Sequence, residues 1–256
     1  LAGGRGGRVR DVLVALQLAF SVVLLASAGL MMKSFLKLQG VQPGFETAGA
    51  LAVQLNATGD RWSDPARRAA MFDQVHAGLG ELPGVAAVAA APYPPGWNNY
   101  HAAALEVEGD PRPVERRAVG ELRPVLGDYL AALGRPLVAG RGFTHAETLD
   151  DASRVVIVGE HAAGVLWPDA SPLGRRLRVG DGEWLTVVGV APDVHLRGLG
   201  APVGNQLFLP YATQPTRTMS FVVRATRGQD PLALAGEVRR RVAAVDPSVA
   251  IVEVET

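Results

Sequence analysis

The sequence predicts an α+β protein with one N-terminal transmembrane helix followed by a two-lobed domain outside the cytoplasm. Three observations support this fold class. Residues 12–32 form a run of 21 positions without a charge. A strand-helix-strand pattern follows this run and occurs again near the end of the chain, and the segment between the two copies has a different pattern of strands and turns.

The apolar run at 12–32 is long enough to cross a lipid bilayer. At about 1.5 Å per residue, it would extend roughly 31 Å as a helix, close to the thickness of the hydrocarbon core. A signal peptide has a shorter apolar stretch of about 7 to 15 residues, and a buried core helix of this length usually carries a charge on one face. Both alternatives fit less well, so we predict a transmembrane helix at 12–32.

Basic residues flank the predicted helix on both sides. They are Arg5, Arg8 and Arg10 before it, and Lys33 and Lys37 after it. Because basic residues near a span tend to stay in the cytoplasm, we predict a flexible, cytoplasmic basic lead at 1–11 and a stalk at 33–46, whose helix ends at Gly40 and Pro43-Gly44. The rest of the chain has no second run long enough to cross, so it lies on the periplasmic or outer side.

The composition limits the function classes. The chain has no cysteine, 25 basic and 25 acidic residues, and a formal net charge of zero. It therefore uses neither disulfides nor thiolate metal sites, and it lacks the basic excess that nucleic-acid-binding proteins carry. We predict no nucleic-acid partner. Because the chain begins with Leu1 rather than methionine, we also expect it to be a fragment of a longer protein.

The strand-helix-strand pattern has the same helix start in both copies. Asp64-Pro65 and Asp230-Pro231 each supply an N-cap followed by proline at the first helical position, where both residue types are favourable. The first copy has predicted strands at 50–55 and 85–91 around a helix that ends near Leu82. The second copy has predicted strands at 220–225 and 249–254 around a helix at 232–245.

Two such units with their helices on one face of a sheet make the ferredoxin-like arrangement. We therefore interpret the copies as an internal repeat that forms one discontinuous, ferredoxin-like (porter-type) lobe from 47–100 and 210–256. Coincidence is the alternative, because Asp-Pro is common at helix starts. If the repeat is real, all four strands share one sheet and residues 105–190 lie mostly outside it.

The segment between the copies, 101–209, is predicted to form an inserted mixed α+β lobe. Strands are predicted at 105–108, 114–119, 154–158, 176–179 and 184–190, and short helices at 127–133 and 160–167. Turns at Gly109-Asp110-Pro111 and Gly180-Asp181-Gly182 predict two antiparallel pairs.

No arrangement of residues in the sequence points to catalysis. The chain has neither a Gly-x-Ser-x-Gly turn nor a P-loop. The histidines are His76, His101, His145, His161 and His195, and their spacing matches no zinc motif. Asp193 and His195 could approach Glu160 and His161, although polar loop residues after a strand are the simpler interpretation. We predict no catalytic, cofactor-binding or metal-binding residues and no cofactor.

Two loops carry residues that could bind calcium or form a contact surface. Glu147, Asp150 and Asp151 form an acidic cluster, but they lack the alternating ligands and central glycine of an EF-type calcium loop, so a solvated loop is the preferred interpretation. The aromatic residues of the other loop are Tyr93, Trp97 and Tyr100. They either form a contact surface or fold onto their own lobe, and the sequence leaves both open.

Several short motifs are weak alone but specific in their order and spacing. They are Leu82-Pro83-Gly84-Val85, Gly140-Arg141-Gly142-Phe143, residues 155–177, Val187-Val188-Gly189-Val190 with Asp193, and Leu207-Phe208-Leu209-Pro210-Tyr211. With them, nearly the whole chain resembles the first transmembrane helix and periplasmic core domain of MacB/FtsX-type ABC transporter permeases. The likeness is greatest to the duplicated orphan permeases of acidobacteria. Gly159 departs from the family pattern, which has asparagine before the glutamate.

The resemblance implies a non-catalytic permease subunit of an ABC-type export or mechanotransmission system in the bacterial inner membrane. A separate cytoplasmic ABC ATPase would move the periplasmic domain, and a second membrane part would begin soon after Thr256. Further implied partners are the lipid bilayer, a second permease copy in a homodimer or a paired permease, and a periplasmic adaptor. The alternative from another class is a membrane-anchored extracytoplasmic sensor or ligand-binding module.

Overall fold

The structure, a computed structural model, describes residues 5–39, 46, 48–94, 101–110, 112–113, 116–195 and 201–255. The chain forms two compact units, Leu1–Gln42 and Pro43–Thr256. The described α-helices are α1 (Arg5–Gln39), α2 (Pro65–Gly80), α3 (Tyr129–Ala132), α4 (His145–Leu149), α5 (Glu160–Leu166) and α6 (Ala235–Val245). The described strands are β1 (Ala50–Asn56), β2 (Val85–Ala91), β3 (His101–Val107), β4 (Val119–Gly127), β5 (Ala139–Gly140), β6 (Val155–Gly159), β7 (Arg176–Val179), β8 (Leu185–Ala191), β9 (Asn205–Pro210), β10 (Thr218–Ala225) and β11 (Ala250–Glu255). Short 3-10 turns occur at Asp60–Trp62, Tyr211–Thr213 and Pro231–Leu234.

Helix α1 contains the predicted membrane span. Its segment Arg10–Leu36 is long and apolar enough to cross a membrane, and none of it is buried. The helix continues past the span as expected, whereas Gly40 and Pro43-Gly44, which were predicted to end it, lie outside the described residues. The prediction of a flexible lead is wrong from Arg5 onward. A helix nucleated by the apolar run gains one hydrogen bond for each further residue, so it extends at low cost.

Four strands of the second unit form an antiparallel sheet in the order β11-β1-β10-β2. Along β1 and β10, Ala50 pairs with Arg224 and Asn56 with Thr218. Each strand of one predicted copy therefore lies beside a strand of the other copy. Because β10 separates β1 from β2, neither copy forms this sheet alone.

Helices α2 and α6 cover one face of this sheet and contact each other. Together with the strands they bury an apolar core, and we call these four strands and two helices the sheet lobe. Its core includes Leu51, Val53, Phe72, Val75, Leu79, Phe221, Val223, Val238 and Val242. The alternation of Leu51 and Val53 shows why one face of β1 is apolar, since successive side chains of a strand point to opposite faces.

The helical segment of each copy begins at the predicted aspartate. The carboxylate of Asp64 accepts a hydrogen bond from the backbone nitrogen of Ala66 at 2.9 Å, and Asp230 does the same for Leu232 at 2.9 Å. The second copy differs in one respect, because a 3-10 turn at Pro231–Leu234 precedes its α-helix.

Six other strands close into a ring, which we call the barrel. They follow the order β4-β3-β7-β8-β6-β9, and β9 returns to β4 through a parallel pairing from Gly120–Asn205 to Val125–Pro210. Buried side chains from all six strands fill its interior, together with Ala162 and Leu166 of α5. The strand residues are Leu105, Val107, Leu122, Val156, Val158, Leu177, Val187, Val190, Leu207 and Leu209. A closed ring leaves none of these strands as a free edge.

Strand β4 belongs to both regions. Leu126 and Gly127 at its end pair with Ala90 and Ala89 of β2, whereas earlier residues pair with β3 and β9. A third core fills the space between the second face of the sheet and the outer face of the barrel. It includes Ala89, Ala91, Val125, Tyr129, Leu130, Ile157, Phe208 and Val222.

The inserted segment differs from the prediction in three respects. The strand predicted at 114–119 is wrong at residues 116–118, because β4 begins only at Val119. Strand β9 and helix α4 were not predicted, and neither was the link by which β4 joins the sheet, where Leu126 and Gly127 pair with β2. Strand β4 was obscured in the sequence by Glu121 and Arg123, two buried charged residues in its middle that interrupt the apolar pattern.

Candidate functional site

The polar residues that follow β8 stabilise local structure. The Oδ1 atom of Asp193 accepts a hydrogen bond at 3.1 Å from the backbone nitrogen of His161, in the first turn of α5. The Nδ1 atom of His195 instead lies 3.3 Å from the carbonyl oxygen of Ala201. Asp193 therefore reaches α5 as a cap, while the imidazole of His195 contacts a different loop.

Gln206 fixes the same loop from β9. Its Oε1 atom accepts a hydrogen bond from the backbone nitrogen of Val194 at 3.3 Å, and its Nε2 atom donates to the Val194 carbonyl. Gly159 lies beside these contacts, and a Cβ at this position would be 3.0 Å from Asp193 Oδ1. An asparagine at 159 would therefore require Asp193 to move.

Glu147, from the predicted acidic cluster, is engaged in capping α4. It forms a capping box with Thr144, and its two carboxylate oxygens accept hydrogen bonds at 2.8 Å from the guanidinium of Arg141. The Arg141 contact lowers the pKa of Glu147 to about 2. Asp150 accepts a hydrogen bond from the backbone nitrogen of Ala152 at 2.9 Å, so both carboxylates stabilise local turns.

The aromatic loop is described only in part. Tyr93 is half-buried, and its carbonyl accepts a hydrogen bond at 2.8 Å from the guanidinium of Arg123. Trp97 and Tyr100 lie outside the described residues. The contact surface therefore stays a prediction.

Three residues that the sequence analysis did not connect converge between α2 and α4. Asp73 and His76 lie on α2, and His145 is the first residue of α4. One ligand atom from each residue lies within 4.8 Å of the other two. The Nε2 atom of His145 is 3.1 Å from Asp73 Oδ1, and the two imidazole rings are 5.9 Å apart between their centroids. Together these side chains offer two nitrogens and one oxygen, a donor set that can hold a divalent metal ion.

Burial controls the protonation of His76. It lowers the pKa of His76 below the usual 6.5 and the nearby His145 lowers it further, whereas the Val88 carbonyl and Asp73 oppose the shift. The ring is therefore neutral at pH 7. Its Nε2 atom lies 3.0 Å from the carbonyl oxygen of Val88. Because a carbonyl only accepts, Nε2 carries the proton and Nδ1 keeps a lone pair.

Two of the three residues of this cluster could be connected from the sequence. Asp73 and His76 are three residues apart on a predicted helix, which places them on one face. His145 follows only after four strands and helix α3, and no local pattern connects it with the pair. Proximity of the third residue depends on how α4 packs, which the sequence did not predict.

A second group of contacts fastens the chain where it enters β1. The Nη2 atom of Arg224 donates to the carbonyl of Glu46 at 2.7 Å, and its Nε atom donates to the carbonyl of Ala132 at 2.7 Å. The backbone nitrogen of Glu46 also donates to the carbonyl of Leu133 at 3.0 Å. The segment that precedes β1 is thus attached to both β10 and the end of α3.

Comparison with known proteins identifies the family. The MacB-like periplasmic core domain family matches residues 14–241. The periplasmic region of MacB from Actinobacillus actinomycetemcomitans has a similar structure, with a TM-score of 0.52 and 16% sequence identity over 81% of this chain and 90% of that chain. The extracellular domain of the noncanonic ABC-type transporter YknZ from Gram-positive bacteria aligns with a TM-score of 0.47 and 16% identity, over 76% of this chain and 91% of that chain. No curated protein matches the sequence significantly.

The family match covers most of the chain and includes parts of both compact units. The MacB structure has the same fold. The chain therefore belongs to the MacB-like periplasmic core domain family.

Proposed function

We propose that this chain is the first transmembrane helix and periplasmic domain of an ABC-type export or mechanotransmission permease, and that a separate cytoplasmic ATPase moves the domain. Family membership makes the chain a domain of an ABC-type permease, and permeases of this type partner with ABC ATPases in general. The observation that carries the proposal is the single match that begins within α1 and ends within α6. The membrane helix and the outer domain belong to one family unit. Movement in the membrane could therefore be transmitted to the domain through the connected chain.

The arrangement of the sheet lobe supports a ferredoxin-like repeat. Its four strands alternate between the two copies and are all antiparallel, and both helices lie on one face. We propose that 47–100 and 210–256 form this repeat and that 101–209 is inserted into it. An insertion at this place attaches the barrel to the sheet at both of its ends, so the two regions would move as one body.

The contacts of the polar residues support a mechanical rather than a catalytic role. Asp193 caps a helix, Glu147 is paired with Arg141, and Gln206 fixes a loop. These side chains stabilise the domain and are already occupied by their partners. A domain that transmits movement needs rigid connections of this kind, and the family is generally non-catalytic.

The proposal places the protein in the bacterial inner membrane, with the second unit in the periplasm. It includes a homodimer or a paired permease in the lipid bilayer, and a periplasmic adaptor as a further partner. It also includes kinship with the acidobacterial orphan permeases.

Affinity purification of the full-length protein from its native membranes tests the proposal. We expect a P-loop ATPase to co-purify in mild detergent, and to be identified by mass spectrometry in amounts comparable to the bait. A known ABC permease purified in parallel shows that the conditions preserve such complexes, and an unrelated single-span protein shows the background. If the known permease retains its ATPase and this protein retains none, the proposal fails and the membrane-anchored sensor becomes the better interpretation.

A further inference from the structure

We propose that Asp73, His76 and His145 bind a zinc ion that links α2 to α4. The sequence predicted no metal ligands, and the proposal rests on how the fold brings α4 against α2. It does not depend on the proposed transport function.

The donor set selects the type of metal. Two imidazole nitrogens and one carboxylate oxygen suit zinc and similar transition metals, whereas magnesium and calcium prefer sites made only of oxygen. Three protein ligands leave a fourth position of a tetrahedral zinc ion for water. The chemistry therefore favours zinc with an open coordination position.

The distances require only small movements of side chains. In a tetrahedral site with bonds of about 2.1 Å, neighbouring ligand atoms are roughly 3.4 Å apart. The His145 and Asp73 atoms are already at 3.1 Å, and the widest separation in the cluster is within 4.8 Å. The His145 side chain is 54% exposed, so it can turn toward the ion without disturbing the core.

His76 has the supporting contact that a zinc ligand needs. Metal-binding histidines usually donate their other ring nitrogen to a carbonyl or carboxylate, which fixes the ring and its tautomer. The Val88 carbonyl accepts from Nε2 at 3.0 Å, so Nδ1 is the nitrogen left for the ion. Gly127 leaves room for the ring in this position, because a Cβ there would be 2.3 Å from Nε2.

Asp73 supplies an oxygen that lacks a well-aligned partner. Its Oδ1 atom is buried and receives no hydrogen bond of good geometry from the described residues. The His145 nitrogen at 3.1 Å is close but poorly aligned for a hydrogen bond. A buried carboxylate oxygen without a good donor is destabilising, and a bound cation would satisfy it.

The proposed ion would connect the sheet lobe with the barrel. Helix α2 packs on the sheet, in contact with β2 and α6, while α4 contacts β4 and β9 of the barrel. Zinc bound to side chains of both helices would add a cross-link beside β4, the strand that the two regions share.

Zinc binding to the 256-residue chain in detergent, purified with a tag that contains no histidine, tests this inference. Competition with a chromophoric zinc chelator measures affinity, and metal analysis after dialysis measures stoichiometry. We expect one zinc per chain. His145→Ala and Asp73→Asn should each weaken binding at least about tenfold. His161→Ala, an exposed histidine outside the cluster, should bind zinc like the unchanged chain.

A second measurement separates a zinc site from a merely structural cluster. Saturating zinc should raise the midpoint of thermal unfolding of the unchanged chain and of His161→Ala, but not that of His145→Ala or Asp73→Asn. Without zinc, His145→Ala should unfold at the same temperature as the unchanged chain, since its side chain is exposed. Equal zinc affinity in His145→Ala and His161→Ala, or an unfolding midpoint that zinc does not move, would overturn the proposal.

Discussion

The sheet lobe and the barrel bury similar apolar cores in opposite ways. The sheet lobe is open: its strands need α2 and α6 to cover one face, and α3 with the barrel to cover the other. The barrel covers itself, because its six strands return to their starting point through the pairing of β4 with β9. Both regions depend on pairings between distant segments, β1 with β10 in the sheet lobe and β4 with β9 in the barrel, but only the barrel closes on itself.

This difference has a consequence for stability. Strand β4 contributes to all three cores through Leu126, Leu122 and Val125. Neither region can lose its packing without exposing part of the other. We therefore expect the sheet lobe and the barrel to unfold in one transition.

Truncation of one large core side chain in each region gives the largest expected effects. Phe72→Ala in the sheet lobe and Leu177→Ala in the barrel should each lower the free energy of unfolding by about 3 to 5 kcal/mol, because both side chains are fully buried. Trp62 lies in the sheet core and Trp167 in the barrel core. The chain has four tryptophans, so variants in which Trp62 or Trp167 is the sole tryptophan can report the urea unfolding of one region by fluorescence.

We expect both tryptophans to report the same shifted midpoint for either substitution. Leu232→Ala and Leu173→Ala are matched controls on exposed leucines, 57% and 37% accessible, and should change stability by less than about 0.5 kcal/mol. Two separate transitions, each moved only by the substitution in its own region, would show that the shared strand does not couple them.

Gly127→Ala tests the junction itself. Gly127 has a φ of 73°, and an added Cβ would be 2.3 Å from His76 Nε2 and 3.0 Å from the Val88 carbonyl. We expect a loss of about 2 to 4 kcal/mol, from the unfavourable backbone conformation and from crowding. Gly109→Ala is the matched control, because Gly109 has a φ of 82° but open space around it, and should cost about 1 to 2 kcal/mol. Equal losses would mean that the junction tolerates the methyl group.

The two helix caps test how alike the copies are. Asp64→Ala and Asp230→Ala should each cost about 1 kcal/mol, because each removes one hydrogen bond to a free backbone N–H group. Urea unfolding measures both losses, and the matching asparagine variants should restore most of the stability. A loss at only one of the two positions would show that the copies do not use their caps in the same way.

The smallest expected effect depends on pH. The folded-state pKa of Glu147 is about 2, below its ordinary 4.5, so its stabilising contribution is complete above about pH 4.5 and is lost as the pH falls toward 2. Glu147→Gln should therefore lower stability at pH 7 by less than about 1 kcal/mol, since Arg141 is half exposed. Thermal unfolding at several pH values should show the difference from the unchanged chain shrinking below pH 4.5. A difference that persists at pH 2 would assign the effect to packing instead of charge.

Signals within a few residues explain what the sequence could predict. The strands and helix starts of the sheet lobe were predicted because an alternating strand or an Asp-Pro cap is a signal within a few residues. The closing pair of the barrel, β4 with β9, was missed because Glu121 and Arg123 hide the apolar face of β4 and because no internal repeat marks these two strands as partners, as it does for the strands of the sheet lobe.

The candidate metal site was also predictable only where its residues are close in sequence. Asp73 and His76 share a turn of α2, so their proximity is a property of the helix alone. His145 reaches them through the packing of α4 against β4 and β9, neither of which was predicted correctly. The complete cluster therefore requires the tertiary structure.

The position of β1 determines how the domain would respond to a pull. This strand begins just after the segment fastened by Arg224, and it has β10 on one side and β11 on the other. A force along β1 would act parallel to the strand axis, so the backbone hydrogen bonds to both neighbours would resist it together instead of breaking one after another. A strand at the edge of the sheet, pulled sideways, would peel away at much lower force. The chain thus enters the domain at a strand that can share tension with a neighbour on each side.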